Sequence, residues 1–187
     1  MGDDMETLRL GSTGVEVELL QSVLKVLGFY TVDIDGVFGI RTESAVKYFQ
    51  RRFGLNADGV VGRDTWRALT PYINGYTTYT IRRGDSLYTI ANLFSTTVSR
   101  IIYANPGISL NNISIGQVIT VPFGNIVRTN MSYYFELLQM NINSLKTVYP
   151  FLEVGSIGKS VMGKDLTYIR IGTGPKEVFY SGAIHRK

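Results

Sequence analysis

Apolar positions along the chain follow two periods, and the changes between them mark out three segments. Up to residue 73 the period is helical. Val17, Leu20, Val23, Leu24 and Leu27 are spaced by three and four, and Gly28 stands where a helix C-terminus favours a left-handed residue. Ala45, Val46, Phe49 and Phe53 predict a second helix, and Trp66 and Leu69 a third. Residues 71–78, with Pro71, Asn74 and Gly75, read as a short linker. Beyond it the pattern changes. Tyr79, Thr80 and Ile81 are β-branched or aromatic and predict a strand. Asp85 or Ser86 can cap the next helix, whose buried stripe is Leu87, Ile90, Ala91 and Phe94. Thr97 can cap another, with Ile101, Ile102 and Ala104 inward, and Asn105-Pro106-Gly107 ends it. Residues 115–122 read as a turn and a strand stopping at Pro122, which completes a small βααβ unit. After a second joint at 124–129, a helix is predicted over 132–147 and stopped by Pro150. Three strand-like runs follow at 152–161, 166–171 and 178–184, the last apolar enough to be buried on both faces. The fold class is therefore α+β, in several domains.

The first segment contains a repeat. Residues 35–46 and 58–69 both read DGVxGxxTxxA followed by an apolar residue. Asp-Gly makes a turn, an apolar pair anchors it, and Thr42 or Thr65 stands where a helix cap belongs. Paired Asp35 and Asp58 invite an acid–base or metal reading, but each directly precedes a glycine in a repeated unit, so turn chemistry explains them better. Together with Gln21, Tyr30, Gln50 and Trp66, these features make residues 1–73 resemble the three-helix peptidoglycan-binding domain attached to bacterial wall hydrolases. Gln50, Tyr30 and Trp66 are open to two readings, ligand contact or internal packing.

Residues 78–123 resemble a LysM module from end to end, in the order YTI..GDSL..IA..F.TTV..I..ANPGI......GQ.I.VP. The resemblance implies binding of N-acetylglucosamine-containing glycans, peptidoglycan or chitin. It places the groove between the loop after the first strand and the loop after the second helix. Those are Gly84, Asp85, Ser86 and Leu87 on one side, and Asn105, Pro106, Gly107 and Ile108 on the other. Backbone groups in glycine-bearing loops can approach an acetamido group while apolar carbons cover its methyl. Capping and turn formation explain the same residues without a ligand.

Residues 129–187 resemble the start of an M14 zinc carboxypeptidase-type peptidase. The signals are Tyr149-Pro150, GSIGKS at 155–160, GKDL at 163–166, IRIG at 169–172 and GAIH at 182–185. Joined to a glycan-binding front end, this looks like the bacterial γ-D-glutamyl-diamino-acid endopeptidases. The resemblance implies an incomplete α/β fragment of the peptidase fold and zinc as the full-length family's cofactor. His185 would be a metal ligand only if the missing ligands were present. It is the sole histidine, and only Arg186 and Lys187 follow it. A catalytic zinc needs about three protein ligands. Neither Glu153 nor Glu177 stands at a matching spacing. The expectation is no catalytic residue and no cofactor in this chain, with enzyme activity left open. A sheet ending after three strands would also leave an unpaired edge, so loose packing or self-association through this segment is expected.

Composition narrows the remaining classes. Of 187 residues, 44% are hydrophobic and 18% charged, which suits a folded chain. No apolar run is long enough to span a membrane. The acidic N-terminus lacks the apolar core of a secretory signal. Cysteine is absent, so neither disulfides nor thiolate metal sites contribute. A net charge of +4 favours anionic wall polymers, while no basic cluster with interleaved aromatics points to nucleic acid. The function expected is wall binding, as the targeting part of a peptidoglycan peptidase. The alternatives are a zinc endopeptidase of which this is a truncated form, and a structural protein of the spore coat or cortex. Localisation is expected in the mother cell, the spore or the wall.

Overall fold

A computed structural model describes residues 5–127 and 135–172. The strand expected over 178–184, Glu177 and His185 lie outside the described residues. The chain forms two compact units divided between Pro150 and Phe151.

The first unit opens with three helices: α1 (Val15–Val26), α2 (Ile40–Arg52) and α3 (Arg63–Asn74). Their apolar stripes meet in one core that includes Val17, Leu20, Leu24, Phe38, Val46, Phe49, Trp66 and Leu69. Fully burying one such aliphatic or aromatic side chain stabilises a fold by roughly 1.5–3 kcal/mol. The stretch before α1 crosses both repeat loops. Leu8 pairs antiparallel with Val61, Thr13 with Val37, and the Trp66 indole N–H donates to the Glu6 carbonyl at 2.8 Å. Only the second residue of each apolar pair anchors its loop. Phe38 and Val61 are fully buried, whereas Val37 is exposed and Val60 half-buried.

The threonines are not the caps expected of them. Gly39 and Gly62 are the N-cap residues of α2 and α3, and neither helix has a side-chain cap. Thr42 and Thr65 lie inside the first turn, and both are buried. Their hydroxyls face the loop, 3.4 Å from the Val37 and Val60 carbonyls respectively.

The linker expected at 71–78 is ordered structure. Helix α3 continues through Pro71 because Trp66, Leu69 and Ile73 keep its inner face buried to the last turn. Gly75 then takes a left-handed conformation (φ 74°), donates to the Pro71 carbonyl at 2.9 Å and ends the helix. Strand β1 (Tyr76–Thr80) begins at once. It starts before Tyr79, the position the residue pattern suggests, and pairs antiparallel with β2 (Val118–Pro122), from Tyr76 opposite Pro122 to Thr80 opposite Val118. Between them come α4 (Leu87–Leu93) and α5 (Val98–Ala104). Ile81, Leu87, Ile90, Ala91, Ile101, Ile119 and Val121 form a second core, with Phe94, Ile102 and Ile108 packed against it.

The described part of the second joint packs closely on the end of α3. The Phe123 and Gly124 amides both donate to the Gly75 carbonyl, at 2.9 and 3.0 Å, and Ile126 is buried. Helix α6 (Phe135–Val148) then returns to the first core, where Leu137 is buried and Met140 partly so. Its expected start at 132 lies outside the described residues.

The second unit contains a hairpin of β3 (Glu153–Lys159) and β4 (Asp165–Arg170), with an irregularity between Ser156 and Lys159. Ion pairs Lys159–Asp165 (3.1 Å) and Arg170–Glu153 (2.9 Å) close its two ends. Glu153 also accepts from the Tyr168 hydroxyl at 2.9 Å, which raises the Tyr168 pKa. This carboxylate is therefore a strand-pairing group. No helix among the described residues is long and apolar enough to cross a membrane.

Candidate glycan-binding site

Two loops carry the candidate residues, and both are tied to the second core. Leu87 is 1% exposed inside that core and Ile108 packs on it, which fixes one end of each loop. Leu87 thus serves the site as an anchor, its side chain withdrawn from any groove.

In the first loop, capping falls to Ser86 rather than Asp85. The Ser86 hydroxyl accepts from the Thr89 amide at 3.1 Å, and the Thr89 hydroxyl accepts from the Ser86 amide at 2.9 Å, a reciprocal capping box. The Asp85 carboxylate faces back along the chain. It accepts from the Arg82 amide at 2.7 Å and from the Tyr79 hydroxyl at 2.9 Å, and this bond raises the Tyr79 pKa. The second loop is held by Asn105. Its amide donates to the Ile101 and Thr120 carbonyls, both at 2.7 Å, and accepts from the Thr120 amide at 2.8 Å. One side chain thus joins the end of α5 to the middle of β2. Asn112, which the sequence reading passed over, donates to the Gly107 carbonyl at 2.6 Å.

Gly84, Pro106 and Gly107 are exposed. Among the described residues, the backbone N–H groups of Gly84 and Gly107 donate no internal hydrogen bond. The loops therefore combine a rigid frame, completed by Asp85, Ser86 and Asn105, with two free donors beside apolar surface. Such a surface can receive a neutral carbonyl-bearing ligand through backbone contacts.

The repeat loops of the first domain have satisfied their own polar groups. Gln21 is fully buried on α1. Its side-chain amide lies 2.8 Å from Asp35 Oδ1 and 3.0 Å from the Val37 carbonyl, and its oxygen accepts from the Asp35 and Gly36 amides. Gln50 on α2 does the same for the second loop, reaching Asp58 Oδ1 at 3.0 Å and the Val60 carbonyl at 2.9 Å, and accepting from Gly59 at 2.9 Å. The aspartates also accept from the amides two residues on, at 2.9 Å for Asp35 and 2.8 Å for Asp58. Hydrogen bonds lower both carboxyl pKa values. For Asp35 the Gln21 side chain is the main cause, and for Asp58 the Val60 amide. Gln50, Tyr30 and Trp66 are buried and internally bonded, which settles their role as framework. Among the described residues no cluster of His, Cys, Asp or Glu could hold a metal ion.

The first unit thus holds two glutamine-stapled loops on three helices, followed by a βααβ unit with an open loop pair. Residues 13–69 match the family model of the peptidoglycan binding domain PG_binding_1, and residues 79–122 match the LysM domain. The chain carries these two domains in series. Particular relatives follow the same line. A stretch of 64 residues is 45% identical to the spore cortex-lytic enzyme of Bacillus cereus, covering 34% of this chain and 25% of that one. Over 56 residues the chain is 48% identical to the N-acetylmuramoyl-L-alanine amidase CwlM of Mycobacterium tuberculosis, 30% of this chain and 14% of the relative. Over 60 residues it is 36% identical to gamma-D-glutamyl-L-diamino acid endopeptidase 1 of Lysinibacillus sphaericus, 32% and 15% respectively. The chain spans no more than 25% of the length of these relatives.

Proposed function

We propose that this chain is the wall-binding, targeting part of a peptidoglycan hydrolase, and that it holds N-acetylglucosamine units between residues 84–87 and 105–108. The observation that carries this reading is the pair of exposed, unpartnered amides at Gly84 and Gly107 on loops fixed to one core. These amides suit an acetamido carbonyl, and the apolar carbons of Pro106 and Ile108 suit its methyl. Two weak domains in series bind a polymer more tightly than either alone if both can reach it. The cortex-lytic and amidase relatives support association with the wall or the spore cortex. Co-sedimentation with purified peptidoglycan tests the reading: the chain is expected in the pellet, and its retention in the supernatant would overturn it.

A second reading is favoured by the relative from Lysinibacillus sphaericus. Residues 129–187 would then begin an M14-type peptidase that cleaves γ-D-glutamyl bonds of stem peptides and draws on zinc to polarise the scissile carbonyl. The described residues offer no ligand set for that ion, so no catalytic step is derived. Hydrolysis of a γ-D-glutamyl stem peptide by the chain itself would establish this reading, and inertness with zinc supplied would remove it for this chain.

A further inference from the structure

We infer that the cleft between the two domains of the first unit is a further saccharide subsite, one that stacks a neutral sugar ring on aromatic side chains. The cleft has a volume of about 360 Å³ and lies between the end of α2, the last turn of α3, β1, and the end of α4. Phe53, Tyr72, Phe94 and Phe123 line it, with Thr77 and Ser95 supplying hydroxyls. These rings belong to a continuous chain of contacts. Phe53 and Tyr72 meet edge to face at 5.8 Å, as do Tyr72 and Phe123 at 5.6 Å, while Phe123 and Phe94 stack at 6.5 Å. The cleft walls are thus braced from both cores.

Three observations point to a sugar. First, among the described residues no charged side chain lines the cleft, so a neutral ligand fits better than a carboxylate-bearing stem peptide. Aromatic faces carry negative quadrupole charge and attract the weakly positive C–H face of a pyranose. Second, Ser95 has φ 51°, the sole left-handed non-glycine residue among the described residues. Its amide accepts the helix-ending role, donating to the Asn92 carbonyl at 3.2 Å, where glycine would be unstrained. A serine there keeps a hydroxyl in the cleft wall at a conformational cost, and such outliers gather where a ligand is gripped. Third, the junction is built to hold the cleft's shape. Gly75 and Gly124 are in backbone contact, and the Arg100 guanidinium donates to the Gly124 carbonyl at 3.0 Å. The cleft therefore adjoins both glycan-binding domains, and one strand of the polymer proposed above could use it. The inference rests on that proposal for its choice of sugar.

The test is residue-resolved NMR of the whole chain titrated with the N-acetylglucosamine pentamer, repeated on Ser95→Gly and Phe53→Leu. Amide shifts are expected at Ser95 and Phe123 as well as at Gly84 and Gly107. Ser95→Gly relieves backbone strain and so keeps the fold. It should weaken the cleft's affinity about two- to tenfold, the worth of one hydrogen bond. Phe53→Leu keeps the apolar bulk and removes the π face, so it should also weaken binding. Shifts confined to Gly84 and Gly107 would overturn the cleft and leave the loop site standing. Shifts confined to the cleft would sustain it and overturn the loop site. Cleft shifts that neither variant weakens would overturn the stacking geometry, and no shifts anywhere would overturn both.

Discussion

At the scale of single residues, the buried glutamines matter most. Gln21 and Gln50 each staple a DGV loop from inside the core, and neither is apparent from the repeat. The reason is spacing: Gln21 lies 14 residues before Asp35, while Gln50 lies 8 before Asp58. Aligning the two loops therefore misaligns the two staples. Replacing Gln50 with alanine leaves the Gly59 amide without its partner and the Val60 carbonyl with only the longer Thr65 contact. It should destabilise the first domain by about 2–3 kcal/mol, measured by urea unfolding. The aspartates set an acid limit. Both have folded pKa values below the ordinary 3.8, so their contribution is present above that value and is lost as pH falls through the lowered one. Thermal unfolding followed downward from pH 5 should show a steeper fall in the native chain than in Asp35→Asn/Asp58→Asn.

At the scale of elements, periodicity was a better guide than punctuation. The stripes Val17–Leu20–Leu24, Leu87–Ile90–Ala91 and Ile101–Ala104 were legible and are buried. Pro71 and Gly75 looked like a linker because both are turn residues, yet the buried face of α3 carries the helix past the proline. Asp85 looked as good a cap as Ser86 because both carry an acceptor oxygen on a short side chain. Only the direction of the Asp85 carboxylate, toward Arg82 and Tyr79, separates them. Ser86→Ala should cost about 1 kcal/mol of stability, a full N-cap. Glycine substitutions should divide by neighbourhood. Gly84 and Gly75 both have positive φ, but an added methyl at Gly84 meets nothing within 4 Å, whereas at Gly75 it would lie 3.0 Å from Ile126 and 3.3 Å from the Gly124 carbonyl. Gly75→Ala should therefore lower the melting temperature more than Gly84→Ala, and by about 1–3 kcal/mol in stability.

At the scale of the whole molecule, the two units differ in how much apolar surface they cover. The first has two cores braced by α6, whose Leu137 reaches the core of the first domain. The hairpin of the second unit leaves Ile157, Val161, Met162 and Ile171 exposed. Limited proteolysis should cut near residues 161–163 before any site in residues 5–127, and equal resistance of the two would contradict this. A chain ended after Pro150 should still sediment with peptidoglycan, because both candidate glycan surfaces lie in the first unit.

Local chemistry could be read along the chain: the helical stripes, the Asp-Gly turns, the caps of α4 and α5 to within one residue, and the likeness of residues 1–73 and 78–123 to the families whose models match 13–69 and 79–122. These features depend on neighbours a few positions apart, and such neighbours are always in view in a sequence. What folding alone decided depends on neighbours far apart. Gln21 meeting Asp35, Asn105 meeting Thr120, Gly75 meeting Gly124, and Phe53 and Phe123 both meeting Tyr72 at one cleft all follow from how the helices and strands pack. A buried amide looks no different in the sequence from an exposed one, and an aromatic ring in a core looks no different from one that walls a cleft. Burial and direction separate them, and both are properties of the packed chain.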